Sequence, residues 1–363
     1  MTQSPVDGSA TTSRRLSIAV LGAGSIGCHT GGLLAGTADV TLIGRTAAME
    51  TLRRNGLTIT GGSRSVELTV PGDLRVATGP EAAAGADYVL IAVKSSATTT
   101  AARELAPHLG PSTVVVSLQN GLHNAAAIRR EIPDRTVLAG TVPYNVVQTA
   151  PGVFHQGSAG ALTVEDHDRA EPLLSAFTAA GMASETRADM REVQYAKLLM
   201  NLNNALNALS DLPLRTELSQ RAYRRCLALC QTEALAVLRA AGAKPARLTP
   251  VPARLIPYVL RLPDTLFRVF AASTLRIDAH ARSSMWEDLQ RGRRTEMDEL
   301  QGEIVALAQR HSLTAPVNAR LVDLVREAEA AEPDARRRWP GESLWRELHS
   351  AHRGGHRARP DGA

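Results

Sequence analysis

The segment Leu16–Gly36, "LSIAVLGAGSIGCHTGGLLAG", decides the fold. Leu16 to Leu21 is a continuous apolar run of strand-forming residues, and the small and apolar residues after Ser25 suit a helix. Between them Gly22, Gly24 and Gly27 stand in G-x-G-x-x-G spacing. In a strand-turn-helix unit the first glycine makes the tight turn and the second lets the backbone approach a pyrophosphate. The third lets helix and strand pack closely. Free amides at the helix start then face the phosphates with a partial positive charge. Gly22, Ala23, Gly24, Ser25, Ile26 and Gly27 are therefore the expected dinucleotide contacts. A glycine turn kept for purely structural reasons is the alternative.

Outward from this unit the same rhythm continues. "DVTLIG" (39–44), "DYVLIAV" (87–93) and "STVVVSL" (112–118) read as buried strands, each followed by a helical pattern. Such alternation implies a parallel sheet covered on both faces. "LTITGGSRSVELTV" (57–70) alternates around Gly61 and Gly62 and predicts a hairpin inserted on the sheet edge. From Arg191 to Ala330 strand signals stop and amphipathic helices take over, as in "MDELQGEIVALAQRHSL". The expected organisation is α/β. A Rossmann-type domain spans residues 15–188 and an all-helical domain 189–332. A disordered lead-in (1–14) precedes them and a frayed basic tail (333–363) follows.

Composition excludes several function classes. The 363 residues carry a formal charge of +5, much of it in the last segment, and only 3% are aromatic. A nucleic-acid surface would pair a basic face with stacking aromatics. No apolar run approaches the ~20 residues of a membrane span. The polar "MTQSPVDGSATTSRR" lacks the apolar centre of a signal peptide, so a cytoplasmic protein is expected. Cys226 and Cys230 lie four apart in a helical pattern without a nearby histidine, which predicts buried thiols and no metal site.

The second strand bears on the cofactor. NAD sites place an acid about 20 residues past the fingerprint, whereas NADP sites place arginine there. Here Arg45 follows Gly44 and no acid appears until Glu50, which favours NADPH/NADP+. A solvated loop arginine is the alternative. Lys94 in "VLIAVKSSAT" and Gln119, Asn120 and Gly121 in "VVSLQNGLHN" also fall at the carboxyl ends of strands, where open α/β sheets bind ligands. An ordinary surface lysine and an ordinary turn compete with that reading.

A second stretch asks for a function of its own. "YAKLLMNLNNALNALSDL" (195–212) has leucines at helical spacing, yet holds Lys197, Asn201, Asn203, Asn204 and Asn207. Asparagine is a poor helix former because its amide competes for backbone bonds. Lys197, Asn201 and Asn204 at i, i+4, i+7 share one face of a continuous helix and would line a cleft. Asn203 and Asn207 lie off that face and fit a structural hydrogen-bond ladder. Further on, "SMWE" from Ser284 reads as a capping box. Glu296 flanks a buried stripe, where pairing with Arg293 or Arg294 is the structural alternative.

Together "VLGAGSIG", "AVKSS", "SLQNG", "AKLLMNLNNAL", "ARSSMWEDLQRGRRTEMDELQGEIV" and "LTAPVNARL" resemble the ketopantoate reductase (2-dehydropantoate 2-reductase) family from Leu16 to about Glu329. The resemblance implies a Rossmann domain and a helical domain of the 6-phosphogluconate dehydrogenase C-terminal type. It implies reduction of 2-dehydropantoate to (R)-pantoate with NADPH, on the route to pantothenate and coenzyme A. By position it makes Gly22 to Gly27, Arg45 and Lys94 cofactor contacts, and it sets Asn120 between nicotinamide and substrate. Lys197 matches the general acid, Asn201 and Ser284 the substrate side, and Glu296 the carboxylate beside the nicotinamide. A second family asparagine falls on Ala205, with Asn204 one residue earlier as substitute, and another finds only "SDLPLR". Residues 243–283 are longer than in compact members. These departures keep open another 2-oxo acid or an imine of the opine type. A non-catalytic NADP sensor would have no use for Lys197 together with Glu296. The expected partner is a small 2-oxo acid, and a second copy meeting the chain through the helical domain is kept open.

Overall fold

The computed structural model describes residues 14–62, 65–270, 278 and 281–357. The expected lead-in lies outside the described residues except for Arg14. The chain runs β1 (Ser17–Leu21), α1 (Ser25–Leu34), β2 (Asp39–Ile43), α2 (Thr46–Asn55), β3 (Leu57–Gly61), β4 (Val66–Leu68), β5 (Arg75–Ala77) and β6 (Tyr88–Ile91). It continues through α3 (Thr98–Leu105), β7 (Val114–Ser117), α4 (Asn124–Glu131), β8 (Thr136–Thr141), β9 (Val146–Ala150), β10 (Val153–Gln156), β11 (Leu162–Glu165), α5 (Glu171–Ala179) and β12 (Ser184–Arg187). Helices follow: α6 (Met190–Asn201), α7 (Asn203–Ser210), α8 (Leu214–Ser219), α9 (Arg221–Ala240), α10 (Ile256–Leu260), α11 (Asp264–Phe270), α12 (Ser284–Gln290), α13 (Gln301–Arg310), α14 (Pro316–Ala330) and α15 (Gly341–Arg357).

Eight strands form one sheet in the order β12-β11-β8-β7-β6-β1-β2-β5. β5, β2, β1, β6, β7 and β8 are mutually parallel, while β11 pairs antiparallel with β8. The central strands are apolar on both faces because both are covered, and Tyr88–Ile91 and Val114–Ser117 are buried throughout. After β1 the chain moves to β2 on one side and returns to β6 on the other. The carboxyl ends of β1 and β6 thus flank the switch point where such sheets open a crevice.

The 57–70 segment does form an antiparallel pair, β3 with β4, but not on the edge of this sheet. It joins β10 and β9 in a second, four-stranded sheet. Leu57 and Ile59 are fully buried against α1, so the hairpin covers the nucleotide-side helix. Its apolar alternation is satisfied by that helix.

The helical region packs around α9. The expected continuous helix from 195 to 212 is interrupted at Leu202. Gln231 and Gln301 donate to the carbonyls of Leu199 (3.1 Å) and Leu202 (2.8 Å), satisfying backbone groups around the break. The expected frayed tail is likewise corrected. Trp339 is buried, Leu344 and Leu348 are fully buried, and α15 lies along α9. The Tyr223 hydroxyl donates to the Trp339 carbonyl at 2.7 Å, and the Trp339 amide to the Leu209 carbonyl. Arg346 and Arg353 are exposed on α15, whereas Arg336 and Arg338, ahead of the helix, bond the Ala328 carbonyl and Asp211. Cys226 and Cys230 are buried free thiols, as expected. Among the described residues no helix is long and apolar enough to cross a membrane, and no His/Cys/Asp/Glu cluster could hold a metal.

Candidate active site

The turn after β1 divides its three glycines by role. Gly22 has φ of 114°, its amide bonds the Ile43 carbonyl, and a Cβ there would lie 2.6 Å from the backbone of Ala92. A Cβ on Gly27 would lie 2.0 Å from the Gly22 carbonyl oxygen, so the third glycine permits the helix to meet the turn. A Cβ on Gly24 would meet nothing within 4 Å. Only the middle glycine faces open space, at the start of α1, where Ser25 and Ile26 begin the helix with amides that no helical carbonyl can satisfy. This cradle fits a pyrophosphate. Arg45 stands exposed at the end of β2 and immediately precedes α2, and among the described residues no acceptor holds its guanidinium.

Across the crevice, loops of the sheet meet the helical region. Asn120, after β7, donates from Nδ2 to Glu296 Oε2 at 3.0 Å and accepts on Oδ1 from Asn201 Nδ2 at 3.2 Å. One amide therefore joins a sheet loop, the turn before α13 and the end of α6. Ser95 follows Lys94 and supports both sides. Its hydroxyl donates to the Asn120 carbonyl at 2.9 Å, and its amide lies 3.3 Å from Glu296 Oε1. Gln119 is a strut, since its Nε2 donates to the Val93 carbonyl and the Thr98 hydroxyl and so ties the ends of β6 and β7. Glu296 is 8% exposed and sits in a bend ahead of α13, which begins at Gln301, later than the pattern from Met297 suggested. Its partners are Asn120, Ser95 and, at 3.9 Å, Lys94, in place of Arg293 or Arg294.

Lys94 bonds Asp288 at 2.6 Å. Burial opposes the lysine charge, yet Glu296 and Asp288 outweigh it and hold the ammonium above the ordinary lysine pKa. Burial pushes the Asp288 carboxyl up, with Lys94 pulling it back. Sequence reasoning missed Asp288 and Ser95. The signal for Asp288 was its place four residues after Ser284, one turn along α12.

Lys197 is half-buried on α6, one turn before Asn201, and its Nζ donates to the Pro143 carbonyl at 3.3 Å. Among the described residues it has no carboxylate partner, and desolvation lowers its pKa to about 8. The ammonium beside Glu296 is thus Lys94, not Lys197. The break at Leu202 removes the single helical face shared by Lys197, Asn201 and Asn204. Asn204 is instead the second residue of α7, with a half-buried side chain, and its carbonyl accepts the Ser283 hydroxyl at 3.2 Å. Ala205 is fully buried in the core.

The cap of α12 falls one residue earlier than the sequence suggested. Ser283 accepts the Trp286 amide at 3.1 Å, while Ser284 is the first helical residue, half-buried and free of capping duty. The predicted reciprocal bond from Glu287 is absent among the described residues. Its carboxylate takes the Gln148 amide at 3.2 Å and pairs with Arg291. Asn207 belongs to the structural ladder expected of it, bonding Glu217 at 2.6 Å and the Leu212 carbonyl at 2.8 Å.

Residues 18–169 match the family model "Ketopantoate reductase PanE/ApbA", and residues 189–329 match its C-terminal model. The 2-dehydropantoate 2-reductase of Halobacterium salinarum is 33% identical over 320 residues, covering 86% of this chain and 98% of its own. This chain belongs to the ketopantoate reductase family. It is an oxidoreductase of that type. The crystal structure of a family ketopantoate reductase from Ralstonia eutropha superposes with a TM-score of 0.73 at 31% identity, covering 86% of this chain and 98% of that one. A D-mandelate dehydrogenase solved with NADH and anilino(oxo)acetate reaches 0.72 at 19% identity over 86% of this chain and 98% of its own, a likeness of fold alone.

Proposed function

We propose that this protein reduces 2-dehydropantoate to (R)-pantoate with NADPH, supplying pantothenate and coenzyme A synthesis. The observation that carries the reading is the Asn120 amide, bonded at once to Glu296 and Asn201, with Lys197 one turn from Asn201. Gly22 to Gly27, the start of α1, Arg45 and Lys94 are the groups that would hold the dinucleotide. The open space at Gly24 and the exposed guanidinium of Arg45 support this. NADPH, when bound, supplies the hydride.

The chain's own residues handle the charge that hydride delivery leaves on the ketone oxygen. Lys197 donates a proton from Nζ to that oxygen, and its desolvation brings its acidity close to physiological pH, where a general acid works best. Asn120 and Asn201 exchange their mutual bond for bonds to the substrate, since each amide offers donors and acceptors. Ser284 and Asn204 hold the carboxylate and hydroxyl end, a role favoured by their half-buried side chains. Glu296 orients the Asn120 amide, and Asp288 orients Lys94. Asn204 stands in for the family asparagine at Ala205, which the core encloses.

A panel of branched 2-oxo acids, each assayed by NADPH oxidation, tests the assignment. The highest kcat/KM should belong to 2-dehydropantoate, and a higher value for another 2-oxo acid or for an imine-forming pair would replace it.

A further inference from the structure

Glu217, on α8, is fully buried beneath the site and plays no part in the chemistry above. Its Oε2 accepts the Asn207 amide at 2.6 Å. The oxygen of that same amide accepts the Ser283 backbone N–H at 2.8 Å. Ser283 caps α12 and is tied back to α7 through the Asn204 carbonyl. α12 begins with Ser284 and carries Asp288, which holds Lys94. One relay of bonds thus runs from a core carboxyl to the element that lines the substrate side.

We propose that Glu217 is a positioning residue for substrate binding, fixing the start of α12, and with it Ser284, through the Asn207 amide. This rests on the reading of Ser284 and Asn204 as the substrate side. Burial favours the neutral acid. From α7 it is faced by Asn203, Asn207 and Ser210, and from α9 by Tyr223 and Cys226, whose own pKa values are pushed up first by burial and further by Glu217. Arg224 on α9 is turned to the carbonyls of Leu218, Ser219, Leu260 and Leu262 and to Asp264. Among the described residues Oε1 has no partner, and neither has Asn203 Oδ1. A proton on the carboxyl gives it a donor for such an oxygen. Burial raises the Glu217 pKa to about 8, with Asn207, Asn203 and Ser210 drawing it down.

The test compares the unmodified protein with Glu217→Gln and Glu217→Ala, measuring KM for 2-dehydropantoate, kcat, and hydrogen exchange of the 283–290 amides at pH 7 and pH 9. In the unmodified protein KM should rise above pH 8, approaching tenfold per pH unit as the neutral form is depleted. Glu217→Gln should hold KM flat and keep the 283–290 amides protected at pH 9, while its kcat still falls with Lys197. Glu217→Ala should raise KM at pH 7 far more than it lowers kcat and speed exchange across 283–290. A KM rise in Glu217→Gln equal to the unmodified one, or unchanged KM and exchange in a folded Glu217→Ala, overturns the proposal. If Glu217→Ala does not fold, the Gln comparison decides. If the unmodified protein does not turn over 2-dehydropantoate, the proposed substrate fails. Exchange at pH 9 then decides for Glu217, equal protection in the Gln variant and the unmodified protein overturning it.

Discussion

Replacing Lys197 tests the mechanism and the physics of its site together. Nζ has one carbonyl partner at 3.3 Å and no carboxylate among the described residues, so desolvation governs its titration. With a pKa of about 8, ammonium outnumbers amine about tenfold at pH 7 and is outnumbered about tenfold at pH 9. The kcat of the unmodified protein should therefore drop about tenfold across that interval, because only the ammonium can donate. Lys197→Met should lower kcat at pH 7 by about 10² to 10⁴, the usual range for general acid catalysis, and abolish the alkaline limb. Stability should move the other way. The folded-state pKa lies below the ordinary 10.5, so the unfolded chain binds more protons between the two values. Burying the ammonium costs stability in full below pH 8, and the cost fades as pH rises toward 10.5. Lys197→Met should thus raise the thermal midpoint at pH 7 and gain little or nothing above pH 10.5. Steady-state NADPH oxidation from pH 6 to 10, with thermal scans from pH 6 to 11, gives both curves. A normal kcat in Lys197→Met, or an unchanged alkaline limb, would refute the assignment of the acid.

Other consequences follow from single positions. Arg45→Ala should weaken NADPH binding by about 1.5–3 kcal/mol, the contribution of a charged hydrogen bond. That is about ten- to a hundredfold in Kd with NADH binding unaffected, and equal use of both nucleotides by the unmodified protein would exclude a 2′-phosphate clamp. Gly24→Ser should leave the thermal midpoint nearly unchanged while weakening dinucleotide binding, because serine also suits the start of α1 and its Cβ meets only open space. Gly27→Ala should destabilise the fold itself, since its Cβ would lie 2.0 Å from the Gly22 oxygen, and a thermal scan separates the two glycines. Leu344→Ala should cost about 2–5 kcal/mol in denaturant unfolding, as for other fully buried leucines, where a frayed tail would cost nothing.

What the sequence made legible was local. The glycine turn is readable because each glycine answers a constraint within a few residues, apart from the approach of Gly22 to Ala92. The central strands are readable because burial on both faces leaves an unbroken apolar run. The second sheet was not, because β3 pairs in parallel with β10, about a hundred residues on, and nothing within either strand names its partner. The α15 helix was hidden by composition. Three arginines and three histidines among its 17 residues make it read as a basic tail, while Leu344 and Leu348, one turn apart, decide the packing. The cap of α12 was misplaced by one residue because Ser283 and Ser284 are chemically identical. The extended backbone of Ser283, at φ −76° and ψ 156°, selects the first. Selecting it leaves the Ser284 hydroxyl out of the cap.

The candidate site shows the same division in sharper form. The residues within it were named by their place in the sequence pattern and by family resemblance, but their partners were not. For Glu296 the sequence left pairing with Arg293 or Arg294 open, yet Asn120, 176 residues earlier in the chain, donates to its carboxylate. Lys94 was legible at the end of its strand, but its bond to Asp288, 194 residues later, was not. These bonds cross between the sheet and the helices, so no local pattern encodes them, and they also make the cleft a preorganised unit. Each side contributes a polar group already paired with the other. In the proposed pose a substrate carbonyl entering between Asn120 and Asn201 takes the Asn201 Nδ2 donor, and a substrate hydroxyl replaces that donor at Asn120 Oδ1. An analogue without a hydrogen-bonding oxygen would break the Asn120–Asn201 bond and return nothing, leaving buried groups unsatisfied at about 1–3 kcal/mol each. Discrimination for an oxygen at that position then comes from the same amides that join the two halves of the protein.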